Sequence, residues 1–336
     1  MLTFTRAKEG RVRSVGVMLI IAATMPATLA QSNMGNLQGT KTELHPSETK
    51  TGPDSKALSE YYRLRQDGNS ALYNLDYQKA RECFEKMSQI APDEPASYVY
   101  LANDLWLETL NRSRRLSTSL YSTTSFYVQN AESDETDRAR DRQFEAWITK
   151  GIEAAAAKLA KYPSDAEALY YQASALGLRA GYKATVGRSF RRAIGDANKS
   201  IQLQHKVLAL DPCYVDAYLS VGMYEYVIDS LPFLWRTLAR LAGLKGSKER
   251  GIKELETVVK SGKYASDDAR VLLIAIYSRE HQPEKALEEL NYLAARYPAN
   301  YLFSVERARM LFDAGRTKDG ADVLAALLQN PSIARA

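Results

Sequence analysis

The stretch 267-DDARVLLIAIYSREHQPEKALEELNYLAARYPAN-300 decides the fold. Ala269, Leu272, Leu273, Ile276 and Tyr277 recur at helical spacing, and so do Ala286, Leu287, Leu290, Leu293 and Ala294 after the break at His281-Gln282-Pro283. Apolar residues three and four apart lie on one helix face. Pro283 suits the first turn of a helix, where its missing N–H has no intrahelical partner to lose. Pro298 stops the second helix. The segment therefore predicts a helical hairpin about 34 residues long, a period that belongs to repeat architectures.

A second copy is legible upstream. In YQKARECFEKMSQIAP, Tyr77, Ala80, Phe84, Met87 and Pro92 carry an aromatic, small, bulky, apolar and proline series, and Ala80 to Pro92 is the spacing of Ala286 to Pro298. With Gly68, Gly222, Tyr277, Leu290, Gly315 and Pro298 as further signature positions, the chain resembles the tetratricopeptide-repeat (TPR) family. That resemblance implies an all-α fold, a right-handed α-solenoid of about six helical hairpins over 56–334, with its clearest repeats at 68–95, 267–300 and 301–331. The middle repeats, 134–210, are elongated. Residues 111–133 and 232–246 read as insertions. From 213 to 298 the order of elements is also similar to eukaryotic TPR proteins tied to outer mitochondrial membranes and lipid handling, where an apolar insertion precedes a glycine-flanked turn, here Gly246 to Gly251. No run of period-two alternation suggests a sheet.

The 336 residues are 45% hydrophobic and 25% charged, an ordinary globular composition. Of the formal charge of +5, three units come from residues 1–30, so the remaining body is near neutral and nucleic acid is not an expected partner. Residues 1–30 read as a signal peptide. A basic start runs to Arg13, an apolar run covers 15–23, and small residues around Ala30 offer a cleavage site before Gln31. The apolar run is short of the roughly 20 residues that a membrane span needs. A periplasmic or secreted protein is expected, with an N-terminally anchored one as the alternative. The polar segment 31–55 reads as a disordered linker.

Chemistry is sparse. His45, His205 and His281 are isolated, and no phosphate loop, nucleophile motif or metal-ligand spacing is present, so neither catalysis nor a cofactor or metal is expected. The acidic run 132–137 sits at a predicted helix start, where carboxylates cap N–H groups. Cys83 and Cys213 lie in different repeats and are expected to stay unpaired, because solenoid repeats touch mainly their neighbours.

Two features point toward binding. Tyrosines are frequent on the first helices of the hairpins, and in TPR arrays these line the concave face where peptides dock. Tyr61, Tyr98, Tyr170, Tyr218 and Tyr226 are therefore candidate peptide-binding residues, for a protein or peptide partner. Arg112, Arg114 and Arg115 stand among hydroxyl residues and read as a solvated insertion or as a cradle for an acidic peptide or headgroup. The insertion 232–245 sets Phe233, Leu234, Leu238, Leu241 and Leu244 on one helical stripe beside Trp235, with Arg236 and Arg240 on the other side. Such a helix either packs on the repeats or contacts a membrane surface or partner, which makes Phe233, Trp235, Arg236 and Arg240 the candidate contact residues. The sequence thus predicts an exported, non-enzymatic scaffold that binds a protein or peptide, with a peripheral membrane protein handling or sensing lipid as the alternative.

Overall fold

A computed structural model describes residues 53–114, 116, 135–186, 190–241 and 244–329. The expected signal peptide, most of the linker and the greater part of the 111–133 insertion lie outside the described residues, as do the side chains of the acidic run 132–137.

The described residues form helices and no strand. They are α1 (Pro53–Tyr73), α2 (Tyr77–Ile90), α3 (Pro95–Arg112), α4 (Glu135–Lys161), α5 (Ala166–Thr185) and α6 (Phe190–Leu210). After a 3-10 turn at Val215–Ala217 come α7 (Tyr218–Asp229), α8 (Phe233–Leu241), α9 (Lys248–Ser261), α10 (Ser266–Arg279), α11 (Pro283–Arg296), α12 (Tyr301–Asp313) and α13 (Thr317–Leu328). They pack in chain order as six pairs: α1 with α2, α3 with α4, α5 with α6, α7 with α9, α10 with α11, and α12 with α13. Among the described residues no helix is long and apolar enough to cross a membrane.

One local geometry recurs in the turn inside three of the pairs. Leu75, His281 and Gly315 have φ of 65°, 55° and 75°. The next residue in each case donates its N–H back to the preceding helix: Asp76 to Ala71 at 2.9 Å, Gln282 to Tyr277 at 2.8 Å, Arg316 to Leu311 at 2.8 Å. A left-handed residue with these bonds is a helix C-cap that satisfies the orphan carbonyls of the last turn. Only the third copy uses glycine, which adopts positive φ without penalty. This alignment corrects one sequence expectation. Tyr77 corresponds to Pro283 and Thr317, the first residue of the second helix, whereas Tyr277 corresponds to Ala71 and Leu311; the two tyrosines are not equivalent.

The turns between pairs also repeat. Glu94, Asp165, Tyr214 and Asn300 donate their N–H to Ala91, Tyr162, Asp211 and Tyr297 at 3.0–3.1 Å. Pro92, Pro163, Pro212 and Pro298 hold the second position, where a fixed φ suits a turn. The second helices of the first five pairs end on the same bond as well: Ala91 to Met87, Tyr162 to Lys158, Asp211 to Val207, Gly262 to Val258 and Tyr297 to Leu293, at 2.7–3.0 Å. Counting back from these ends places Ala80, Gly151, Ser200, Gly251 and Ala286 at one equivalent position. All five are buried. Phe84, Ala155, Gln204, Leu255 and Leu290 follow one turn later, at most 1% exposed. The elongated middle of the chain therefore keeps the same register as its ends.

Two glycines let α7 cross α9 closely. A Cβ on Gly222 would lie 2.8 Å from the Gly251 carbonyl oxygen, and one on Gly251 would strike the Gly222 carbonyl. Across the next turn, buried Asp216 accepts the N–H groups of Lys263, Tyr264 and Ala265 at 3.2, 3.0 and 2.9 Å, which fixes the approach to α10. Gly68 faces the Phe84 ring in the first pair.

The first pair touches the fifth. Tyr73, in the last turn of α1, stacks on Tyr297 with ring centres 4.8 Å apart, and its hydroxyl donates to Asp268. Asn300 donates Nδ2 to the Tyr73 carbonyl at 2.7 Å, and the Ala299 N–H reaches Asn74 Oδ1 at 3.2 Å. Arg65 lies over the Tyr264 ring. Contacts between residues more than 190 apart thus join α1 to the α9–α12 region.

Candidate functional site: an interior cavity

The first helix of each pair turns one face inward, and these faces line a cavity of about 970 Å³ that is partly open to solvent. On α1 the lining face carries Tyr62, Arg65, Asn69 and Tyr73; on α3, Tyr100, Asn103 and Trp106; on α5, Tyr170, Tyr171, Ser174 and Leu178. Leu219 and Ser220 come from α7, Asp268, Val271 and Leu272 from α10, and Phe303 and Glu306 from α12. Spacings of three and four put each set on one helix face. Tyr264, Tyr292, Arg296, Tyr297 and Asn300 complete the wall. The volume is that of a ligand site, and the lining mixes aromatic area with a few placed polar groups.

Electrostatics differ around the wall. Asp267 accepts from the Tyr297 hydroxyl at 2.5 Å and pairs with Arg296 at 3.3 Å. Asp268 is exposed at the cavity, yet desolvation by the helices around it pushes its carboxyl up to about 6 despite the Tyr73 hydrogen bond. Burial moves Tyr73, Tyr170 and Tyr171 far above the ordinary phenol range, so they present neutral hydroxyls. The hydroxyls of Tyr100 and Tyr171 meet at 3.3 Å. Trp106 donates Nε1 to Thr185 at 2.9 Å. Neutral donors, amides and aromatic faces suit binding.

Of the five tyrosines expected in a groove, one lines this cavity, Tyr170. Tyr61 is 6% exposed and packs in the core of the first pair. Tyr98 donates to the Pro92 carbonyl at 3.0 Å. Tyr218 packs against the C-terminal core, and buried Tyr226 donates to Glu280 at 2.7 Å. The correction is rotational: at about 100° per residue, Tyr62 faces inward one residue on from Tyr61, and Tyr100 two residues on from Tyr98. Arg65, Asn69, Asn103 and the tyrosines outside first helices, Tyr264, Tyr292 and Tyr297, went unrecognised because only the closure of the array brings them together.

On α8, Phe233, Leu234 and Leu241 are 77%, 63% and 79% exposed. These three do not pack on the repeats, whereas Leu244 after the helix is buried. Arg236 and Arg240 both approach Asp229, at 3.6 and 3.7 Å. The side chains of Trp235 and Leu238 lie outside the described residues. In the Arg112–Arg115 group, Arg112 pairs with Glu108 at 2.8 Å, and Glu108 also holds Arg81 in a network that ties α2 to α3 and reaches Arg140 of α4; Arg115 lies outside the described residues. Cys83 is buried and Cys213 exposed, both as free thiols. Among the described residues no three His, Cys, Asp or Glu side chains converge as metal ligands.

No protein-family model matches this chain, and no curated protein matches it.

Proposed function

We propose that this chain is an exported, non-enzymatic TPR-like α-solenoid that binds a protein or peptide inside its curve. One observation carries the reading. Six first helices that are far apart in sequence line one cavity of about 970 Å³, and three of them, α1, α3 and α5, turn Tyr, Asn and Trp side chains onto it. Tyrosine offers apolar area with a polar tip and little rotamer entropy to lose, which suits recognition. The recurring turns at Leu75, His281 and Gly315 support the TPR-like description, and the basic, then apolar start of the chain supports export. The experiment is site-specific photo-crosslinking in the native cell. A photoreactive residue at Leu107, on the cavity wall, should capture a discrete protein, whereas one at Leu328, 81% exposed on α13, should not. Equal capture at both sites, or none from Leu107, overturns the proposal.

The exposure of Phe233, Leu234 and Leu241 favours a second reading, a peripheral contact of α8 with a membrane surface. Phe233→Glu with Leu234→Glu should then leave the melting temperature unchanged and abolish flotation with anionic liposomes. Wild-type protein that does not float removes this reading.

A further inference from the structure

Arg65 stands on the cavity wall and is 7% exposed. A guanidinium keeps its charge in proteins, and a buried charge is costly unless a counter-charge and hydrogen bonds compensate it. Elsewhere the chain supplies that compensation. Arg81 holds Asp104 at 2.8 Å and Glu108 at 2.7 Å, Arg179 holds Asp196 at 2.7 Å, and Arg270 holds Glu289. Arg65 forms no ion pair among the described residues. Its guanidinium carbon lies 3.9 Å from the centre of the Tyr264 ring and 4.9 Å from that of Tyr62. The phenol groups of Tyr264, Tyr100 and Tyr171 are its neighbours, and a phenol brings no counter-charge. The acid in its field is Glu167, in the first turn of α5, whose own carboxyl is pushed up by burial.

Stacking occupies the faces of a guanidinium. Its five N–H donors lie in the plane, in a fork that matches two oxygens of a carboxylate or phosphate. A charged fork with aromatic rings on its faces, on the wall of a cavity and without a carboxylate of its own, is a site lacking its anion. We infer that Arg65 is an anion-binding group, and that the molecule filling the cavity presents a carboxylate or phosphate to it while lying against the tyrosine rings. The inference rests on the cavity being the binding site. It adds which chemistry the ligand must carry.

The test uses the full chain and three probes of one shape: benzoate, phenyl phosphate and the neutral benzamide. Benzoate or phenyl phosphate should raise the melting temperature and change the fluorescence of Trp106 on the cavity wall, and benzamide should do neither. The tighter of the two anions identifies the oxyanion. Arg65→Met should abolish both responses. Without probe it should melt at or above the wild type, because it removes an uncompensated buried charge. Equal responses to benzamide, no response to either anion, or an Arg65→Met variant that still responds overturns the inference. If Arg65→Met does not fold, Arg65→Lys keeps the charge without the planar fork. Affinity lowered by roughly tenfold supports the site, and unchanged affinity overturns it. An Arg65-dependent response to benzoate combined with no protein captured from Leu107 would retire the peptide reading and leave the anion site standing.

Discussion

Glycine to alanine in the middle of a helix brings two opposed effects, and the crossing of α7 with α9 decides between them. Alanine is favoured over glycine in a helix interior by about 1 kcal/mol. Gly195 in α6 is exposed with nothing within 4 Å of an added Cβ, so Gly195→Ala should show that gain alone. Gly222 in α7 would set its Cβ 2.8 Å from the Gly251 carbonyl oxygen, 3.1 Å from Glu254 Cβ and 3.2 Å from Leu255 Cγ. The first contact is about 0.5 Å inside comfortable separation and falls on backbone, which cannot rotate away. Overpacking of this kind costs about 1–3 kcal/mol. Gly222→Ala should therefore end between no net change and a loss of about 2 kcal/mol, after the helix gain is set against the clash. At about 2–4 °C per kcal/mol for a body of this size, calorimetry should place Gly222→Ala several degrees below Gly195→Ala. If Gly222→Ala melts as high as Gly195→Ala, the two helices do not cross at Gly222 and Gly251, and the register of the fourth pair is wrong.

Two further outcomes are expected. Ala286 is fully buried at the equivalent position of the fifth pair, so Ala286→Leu should cost about 1–3 kcal/mol by overpacking, read as a lower urea midpoint; an unchanged midpoint would contradict the alignment. Glu254 has a buried Oε2 with no partner, and burial beside Glu225 pushes its carboxyl up to about 7. The folded state thus holds this proton more tightly than the unfolded chain, and the group lowers stability progressively as pH rises from about 4.5 to about 7. Glu254→Gln should raise the melting temperature at pH 8 and change it little at pH 4.5, and a larger effect at the acidic end would refute the assignment.

The helices were legible wherever the buried positions are apolar. Ala80, Phe84 and Met87 and their counterparts Ala286, Leu290 and Leu293 announce the register without help. The same positions in α6 are Ser200, Gln204 and Val207, and in α4 they are Gly151, Ala155 and Lys158. Two of the first three are polar, and Ser200 is tolerated because its hydroxyl donates to the Ala173 carbonyl at 2.7 Å. No periodicity rule finds a buried serine whose partner lies on another helix. The cavity was half legible. That first helices carry the tyrosines could be read from spacing. Which of two adjacent tyrosines points inward depends on a rotation of about 100° that the apolar pattern leaves open when Tyr occupies both places. Arg65 and Asn300 gave no signal, because their surroundings are assembled from residues some two hundred positions away.

The account stands or falls on the closure of the array at Tyr73, Asp268, Tyr297 and Asn300, since the cavity exists only if the first pair meets the fifth. Spin labels at Asn74 and Ala299, in a chain with Cys83 and Cys213 replaced by Ala, measure that closure by pulsed electron–electron distance spectroscopy. The account predicts one narrow population at the short limit of the method, because the Ala299 N–H reaches the Asn74 side chain directly. A broad distribution, or a single long distance, would mean an array whose first and fifth pairs do not meet and would contradict it.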